Sequence, residues 1–236
     1  MKITVVGLEK GFPESTEPAS GYLVEQDGFI LLLHAGTGVA AHVQKYVSLH
    51  DIHHIILPQY PDEHKEDVSA FMQARKIARQ LKQRGLNLNF YGPLGGEMVQ
   101  EIRRAKYSNF HLVTGGSRLE LGPFTIDFHR STNTVQANAL RVTDETGATF
   151  VHTSDTSYYG SLVRFAFGVD LLIAECSMNG RPADKSAGQL AVKCDAVLTL
   201  LANLPHHGAL EVISDSTRQH PTGEIRLAEP GMIITI

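Results

Sequence analysis

The chain has 236 residues, of which 42% are hydrophobic and 19% charged, and its formal net charge is −4. This composition excludes a disordered chain, and the mild acidity gives no electrostatic basis for non-specific nucleic-acid binding. No apolar run reaches the ~18 residues of a membrane span, and the first residues predict a strand instead of a signal peptide.

The chain contains two cysteines, Cys176 and Cys194. They do not form a CxxC pair, and a secreted disulfide scaffold would carry more cysteines. Free thiols are typical of a reducing compartment, so we expect a cytoplasmic protein.

Hydrophobic periodicity predicts strands and helices in mixed order over the first half of the chain. A strand at 3–7 is followed by two strands, 21–26 and 29–34, which the turn Asp27-Gly28 joins as a hairpin. The next predicted elements are a helix at 39–48, a strand at 53–58, a helix at 66–84, a strand at 88–91 and a helix at 96–105.

From residue 118 the pattern changes to successive strands, predicted at 118–121, 124–130, 137–143 and 149–153. The remaining predictions are a helix at 158–166, a strand at 171–176, a loop at 177–188, a helix or strand at 189–202, a helix from about 209 and a strand at 232–236. No linker and no repeat divides the chain, which favours a single domain over residues 1–236 with two sheets and helices outside them.

A glycine motif, Gly36-Thr-Gly38-Val-Ala-Ala41, follows a predicted strand and opens a predicted helix. This arrangement resembles a dinucleotide-binding turn, in which glycines let a pyrophosphate approach a helix N-terminus. However, the preceding strand is not the first in the chain, and the next strand ends at Pro58-Gln59 without an acid for a ribose. A simple tight turn is the alternative.

A polar segment, 57–64, lies where a predicted buried strand ends and a helix begins. Its sequence is Leu-Pro-Gln-Tyr-Pro-Asp-Glu-His. Acids and a histidine at such a place can form a site, or they can cap the helix and match its dipole.

Other polar residues are weaker candidates. His53 and His54 begin a strand and face opposite sides of it, while His129 and His152 lie within strands and are expected to be structural. Ser154 lacks the G-x-S-x-G context of a nucleophile elbow.

Several segments together carry a resemblance to a known family. They are Ser20-Gly-Tyr-Leu-Val, Leu31-Leu-Leu-His34-Ala-Gly36-Thr-Gly38, Leu121-Gly-Pro-Phe-Thr-Ile, Val151-His-Thr-Ser-Asp155, Asp170-Leu-Leu-Ile-Ala-Glu175-Cys176, Leu204-Pro-His206 and Glu229-Pro-Gly-Met. In this pattern the chain resembles the metallo-β-lactamase superfamily, in its small bacterial ribonuclease Z-like hydrolase branch. The resemblance implies an α/β (α+β) fold, the four-layer αββα sandwich with two mixed sheets and helices on the outer faces.

The resemblance also implies a ligand code for two metal ions that activate a water. Aligned to that code, the first metal site would consist of Gln59, Pro61, Asn133 and a shared Asp155. Proline has no donor, and the amides offer only neutral oxygens, which hold transition metals poorly. We therefore expect this first metal site to be lost.

The second metal site implied by the resemblance would consist of Glu63, His64, Asp155 and Asn203. One imidazole, two carboxylates and an amide can hold one weakly bound ion, with a preference for Mn²⁺, Mg²⁺ or Fe²⁺ over Zn²⁺. A rebuilt site from His34, His64 and His206 with Asp155 is a further alternative.

Two supporting positions of the family also differ. His34 occupies the place of an acid that orients a metal-bound histidine, and Gln189 occupies the place of a less universal histidine. Together with Gln59 and Asn133, His34 is expected to line the family's cleft. Because several metal-ligand positions and a supporting position differ together, drift at a single position does not explain the change.

Three hypotheses follow for the function. The first is a family member with a degraded metal site, inactive or weakly active as a hydrolase, that keeps a cleft for a small-molecule or phosphodiester ligand. The second is a mononuclear metal-dependent hydrolase of phosphodiesters or esters, in which Asp155 holds the metal and orients water, and His206 donates a proton. The third is a subunit that acts through a homodimer surface.

Overall fold

The computed structural model describes residues 1–8, 17–59, 67–81, 85–130, 137–155, 160–175, 183–202 and 223–236, with the backbone alone at 155 and 183–188. These residues divide into two compact units. The N-terminal unit comprises Lys2–Val113 with Glu229–Thr235, and the C-terminal unit comprises Thr114–Ala228 with Met1 and Ile236.

The N-terminal unit contains a seven-stranded mixed sheet in the order β14-β1-β2-β3-β4-β5-β6. Its strands are β1 (Lys2–Gly7), β2 (Gly21–Gln26), β3 (Phe29–Leu33), β4 (His54–Ile56), β5 (Leu88–Gly92), β6 (Ser108–Leu112) and β14 (Ile233–Thr235). The strands from β3 to β6 are parallel, whereas β14, β1, β2 and β3 pair in antiparallel fashion.

The predicted hairpin between β2 and β3 is confirmed. Gln26 pairs with Phe29, and the two residues between them have positive φ, 50° at Asp27 and 80° at Gly28. Such a turn matches the twist of the flanking strands, and Asp-Gly tolerates it well. The hairpin fixes β3, whose carboxyl end leads to His34.

Helices α1 (Val39–His42), α2 (Val68–Gln80) and α3 (Gly96–Arg104) complete the N-terminal unit, with a 3₁₀ turn at Val43–Lys45 after α1. Apolar residues of all three helices share a buried cluster with alternate residues of the strands, among them Leu32, Ile55 and Phe90. The helix predicted at 39–48 is therefore confirmed only in its first part, as a short helix followed by a 3₁₀ turn.

The C-terminal unit contains a second seven-stranded mixed sheet, in the order β13-β12-β11-β10-β9-β8-β7. Its elements are β7 (Arg118–Leu121), β8 (Phe124–Arg130), β9 (Asn138–Asp144), β10 (Thr149–Asp155), α4 (Gly160–Phe165), β11 (Leu171–Glu175), α5 (Ala183–Cys194), β12 (Leu198–Ala202) and β13 (Glu224–Leu227). Strands β7 to β10 are antiparallel, and β10 to β13 are parallel.

The loop predicted at 177–188 is wrong over its last six residues, because α5 begins at Ala183. Gly, Pro, Ala and Ser indicated a loop, but Cys194 and neighbouring apolar residues of α5 pack into a buried cluster with α4 and the parallel strands. Tertiary packing thus stabilises a helix that local composition disfavours. The helix predicted from about 209 lies outside the described residues.

Every helix within the described ranges is too short or too polar to span a bilayer.

The turn between β9 and β10 is built around the buried carboxylate of Asp144. This carboxylate accepts bonds from the amino group of Met1 (3.2 Å), from the amide and hydroxyl of Thr146 (2.9 and 2.7 Å) and from the amide of Ala148 (3.0 Å). Burial opposes ionisation, but these bonds outweigh it and hold the pKa of Asp144 below its usual value. The turn thereby fixes where β10 begins.

The Asp144→Ala variant should lose about 2–4 kcal/mol of unfolding free energy, because its carboxylate loses four hydrogen bonds at once, including the buried bond from the amino group of Met1. Urea denaturation at pH 7 measures this loss, and Glu145→Ala at the exposed neighbouring position is the matched control. The charge contribution is present above the unfolded pKa of an aspartate and disappears as the pH falls through the lower folded pKa. Equal stability of the two variants would contradict this role.

His54 is packed between aromatic rings on one face of the N-terminal sheet. Its ring stacks on Phe29 with a centroid distance of 5.0 Å, and its Nδ1 lies 3.1 Å from the hydroxyl of Tyr91. Burial, followed by the charges of His53 and His111, lowers the pKa of His54 to about 4. The neutral ring is therefore the form that the folded chain favours.

Stability should fall by about 1–2 kcal/mol between pH 7 and pH 5 because of His54, since the unfolded chain binds a proton near pH 6.5 that the folded chain resists down to about pH 4. Chemical denaturation at both pH values tests this. His54→Phe should reduce the pH dependence, whereas His50→Gln, at an exposed position, should retain it. An unchanged slope in His54→Phe would exclude His54 as the source.

Candidate active site

Two predicted site residues follow neighbouring parallel strands of the N-terminal unit. His34 comes directly after β3, and Gln59 comes three residues after the end of β4. Because β3 and β4 run parallel, their carboxyl ends meet at one edge of the sheet. Ligand sites of α/β proteins commonly lie at such an edge.

Both of these side chains are buried, His34 completely and Gln59 to within 3% exposure. The backbone of His34 has a φ of 63°, and its amide donates to the carbonyl of Ile56 at 2.9 Å. Its ring meets the ring of Tyr22 edge to face, with centroids 6.3 Å apart. A left-handed conformation is uncommon outside glycine, so the fold holds His34 in a specific position.

The glycine motif after His34 forms a tight turn. Gly38 has a φ of 86°, and the helix that follows, α1, is only four residues long. The amide of Ala40, which a phosphate would need, donates instead to the carboxylate of Asp67 at 2.7 Å. Burial raises the pKa of Asp67, and its bonds from the amides of Ala40 and Gly38 partly oppose this. These contacts favour the tight turn over the dinucleotide-binding alternative.

In the C-terminal unit, three parallel strands end at the same edge. Strand β10 ends at Asp155, β11 at Glu175 and β12 at Ala202. The residue that follows β12 is Asn203. The fold thus brings Asp155, the shared metal ligand of the prediction, to the same sheet edge as the carboxyl end of β11.

A bulge interrupts β10 just before this edge. His152 pairs with Ile173 and Asp155 pairs with Glu175, so β10 has one residue more than β11 between these two pairs. Ser154 lies in this bulge with a φ of 53°, its hydroxyl donating to the carbonyl of Asn138 at 2.8 Å. Bulges and left-handed non-glycine residues concentrate near functional sites, where they re-aim a chain.

A buried ionisable pair lies beside the bulge. The Nε2 of His152 lies 3.2 Å from Oε1 of Glu175, and both side chains are at most 3% exposed. The Nδ1 of His152 accepts a bond from the amide of Ser154 at 3.2 Å, which leaves the ring proton on Nε2. The amide of Glu175 in turn donates to the hydroxyl of Thr153 at 3.1 Å. This set orients a histidine and a carboxylate at the strand edge.

From the sequence alone, His152 is expected to be structural and Glu175 has no assigned role. The only available signal was the presence of two ionisable residues at the ends of apolar segments. Their pairing depends on the parallel contact of β10 with β11, which local patterns do not reveal. His129, the other histidine expected to be structural, stacks on Phe165 at 5.0 Å and lies 3.2 Å from the hydroxyl of Ser161.

The remaining predicted site residues stay predictions. Those outside the described residues are Glu63, His64, Asn133, Asn203 and His206, together with Pro61. For Asp155 the structure gives the backbone position alone. Gln189 is exposed on α5, at the position of the family's less universal histidine.

One side chain of the predicted first metal site, that of Gln59, lies within the described residues. Gln59, which the family resemblance aligns with a metal-binding histidine, is a buried neutral amide. Amide oxygens suit harder ions and bind zinc weakly compared with imidazole or thiolate.

No family model matches the chain. In sequence, the chain is 29% identical over 242 residues to the "Probable metallo-hydrolase YhfI" of Bacillus subtilis (strain 168), with 99% of both chains covered. It is 25% identical over 239 residues to the uncharacterized protein Rv1339 of Mycobacterium tuberculosis, covering 92% of this chain and 85% of the relative. The similarity to the probable metallo-hydrolase thus extends over nearly the whole of both sequences.

Solved structures agree on the fold. The metallo-beta-lactamase fold protein YhfI from Bacillus subtilis superposes with a TM-score of 0.90 at 30% identity, covering 99% of this chain and 98% of that one. Human tRNase Z, short form, has a TM-score of 0.75 at 18% identity, covering 100% and 99%, which shows the fold alone. The predicted fold class is confirmed, and the chain belongs to the metallo-β-lactamase-fold family.

Proposed function

We propose that this chain is a metallo-β-lactamase-fold hydrolase relative whose two-metal centre is largely lost. It is inactive or weakly active as a hydrolase and retains a cleft for a small-molecule or phosphodiester ligand. The observation that carries this proposal is Gln59, a buried amide after β4 where the family's metal-binding code requires a histidine. One neutral donor there weakens the first metal position directly.

The sequence supports the same conclusion at other ligand positions. Pro61 has no donor, Asn133 and Asn203 are amides, and His34 replaces the orienting acid of the family. An acid that orients a metal-bound histidine loses its purpose when that histidine is absent. The joint change of ligands and supporting group is what a relaxed metal requirement would produce.

A second candidate is a mononuclear hydrolase that uses Glu63, His64 and Asp155, with Asn203 as a further ligand. The bulge at Ser154 favours it, because a strained backbone just before Asp155 is typical of a position held for function. A bound divalent ion (Mn²⁺, Fe²⁺, Mg²⁺ or Zn²⁺) would lower the pKa of a water. Asp155 would hold the metal ion and orient that water, and His206 would donate a proton to the leaving group.

The expected homodimer and the cytoplasmic location stay predictions beside these two candidates. Neither is needed for the choice between them, because metal binding decides that choice.

Metal content distinguishes the two candidates. Protein purified without chelator and dialysed against Zn²⁺, Mn²⁺ or Fe²⁺ should retain far less than one ion per chain, because the described donor and the other substituted positions bind weakly. Inductively coupled plasma mass spectrometry measures the retained metal, and His64→Ala should retain the same trace amount.

Near-stoichiometric retention that disappears in both His64→Ala and Asp155→Ala would overturn the first candidate and establish the second. A screen with bis(p-nitrophenyl) phosphate would then show turnover that both substitutions abolish. Retention that neither substitution changes would locate the ion elsewhere and contradict both candidates.

The buried pair at the strand edge should be essential for stability. Glu175→Ala removes a buried carboxylate whose Oε1 lies 3.2 Å from Nε2 of His152, which should cost about 1–3 kcal/mol of unfolding free energy. Urea denaturation measures the loss. Glu224→Ala, which breaks the exposed pair of Glu224 with Arg226, is the control and should change stability little. Equal effects of the two substitutions would show that the buried pair has no such role.

A further inference from the structure

A cavity of about 100 Å³ opens at the surface of the N-terminal unit. Its walls come from β1 with the loop residue Glu17, from α1 with its 3₁₀ turn, and from the turn that precedes β14. Liquid water occupies about 30 Å³ per molecule, so this volume admits a ligand of about four to six non-hydrogen atoms. The cavity shares no residue with the candidate active site.

The helical wall contributes three polar side chains. His42, Lys45 and Tyr46 are spaced three and four residues apart, which brings them to one side of the helical stretch. The backbone amides of His42 and Tyr46 donate to the carbonyls of Gly38 and Val43, each at 3.0 Å. The Nδ1 of His42 also donates to the carbonyl of Gly38 at 3.0 Å, since a carbonyl only accepts. These bonds fix the wall and the ring of His42.

A second wall is the turn Glu229-Pro-Gly231-Met, one of the segments that carry the family resemblance. The amide of Gly231 donates to the carbonyl of Val5 at 2.8 Å, and the amide of Val5 donates to the carbonyl of Met232 at 2.9 Å. Gly231 has a φ of 86°, a conformation that favours glycine. A Cβ atom at this position would lie 3.5 Å from the hydroxyl of Tyr46. That hydroxyl therefore lies directly beside a rigid turn.

Two opposite charges line the cavity without forming an ion pair. Glu17 precedes Pro18, whose carbonyl accepts from the amide of Leu8 at 3.2 Å, so its backbone is held beside the end of β1. Lys45 supplies an ammonium group from the helical wall. In the part of the chain that the structure describes, the side chains of Glu17, Lys45 and Tyr46 form no hydrogen bond or ion pair. The cavity thus offers one charged acceptor and two donors.

This charge arrangement disfavours a ligand of a single sign. A lone anion at Lys45 would share the small volume with the carboxylate of Glu17, and a lone cation at Glu17 would share it with the ammonium of Lys45. Like charges at such separations repel each other, even near water. A ligand that carries both charges avoids this repulsion and engages both walls.

We propose that the cavity binds a small zwitterion, an α-amino acid with a short side chain or none, such as glycine. The carboxylate of the ligand would accept from the ammonium of Lys45 and the hydroxyl of Tyr46, and its ammonium would donate to the carboxylate of Glu17. Val6 supplies an apolar surface for the ligand's Cα atom. Glycine falls within the size limit that the volume sets. The site does not depend on the proposed function.

Titration of the full chain with glycine at constant ionic strength tests the site, followed through the methyl signals of Val6 in two-dimensional NMR spectra. These signals, assigned with Val6→Ile, should shift saturably with a dissociation constant on the order of 1 mM, because so small a ligand makes few contacts. Acetate and methylammonium each carry one of the two charges. Each should bind at least about tenfold more weakly than glycine, because one wall charge then stays unpaired.

Glu17→Gln and Lys45→Met should each weaken glycine binding by about tenfold or more, and Tyr46→Phe, which removes a neutral donor, by a smaller factor. Lys76→Met and Glu97→Gln, at exposed positions elsewhere in the same unit, are the matched controls and should keep the affinity. Acetate or methylammonium binding as tightly as glycine would overturn the assignment to a zwitterion. The absence of a saturable shift, or equal affinity in all five variants, would overturn the site itself.

Discussion

Parallel strand pairing determines where the candidate site residues of both units lie. In the N-terminal unit β3 pairs with β4, and in the C-terminal unit β10 pairs with β11 and β11 with β12. Parallel strands are buried on both faces and therefore consist of apolar runs, such as Leu31–Leu33. Polar groups are consequently placed beyond the strand ends, where neighbouring strands finish together.

The sequence was sufficient for the elements whose signals are local. The Asp27-Gly28 hairpin and most strands follow from turn chemistry and apolar patterning, and the family resemblance supplied the fold class. Strand β6 was not predicted, because Ser-Asn-Phe-His-Leu has weak alternation and depends on pairing with β5. The first turns of α5 were predicted as loop, because their small residues become helical only through packing.

The sequence identifies some residues of the candidate site, but it does not show which side chains contact each other. Sequence comparison identified Gln59 and His34 as substituted positions, and the structure adds that both are buried at one sheet edge. It could not pair His152 with Glu175, because the two residues are 23 positions apart and meet only through the β10–β11 contact. Long-range electrostatic pairs of this kind are set by topology, which a pattern of residues along the chain does not encode.

The bulge in β10 has an evolutionary consequence. A regular strand alternates its faces every residue, so positions 152 and 155 would fall on opposite faces. The extra residue at Ser154 shifts Asp155 by one register position and places it opposite Glu175. Deletion of one residue at 153 or 154 would remove the bulge, but the acid would then follow His152 by two positions, on the same face and still opposite Glu175. We therefore expect relatives that keep an acid opposite this glutamate either to retain the bulge or to have a β10 that is shorter by one residue.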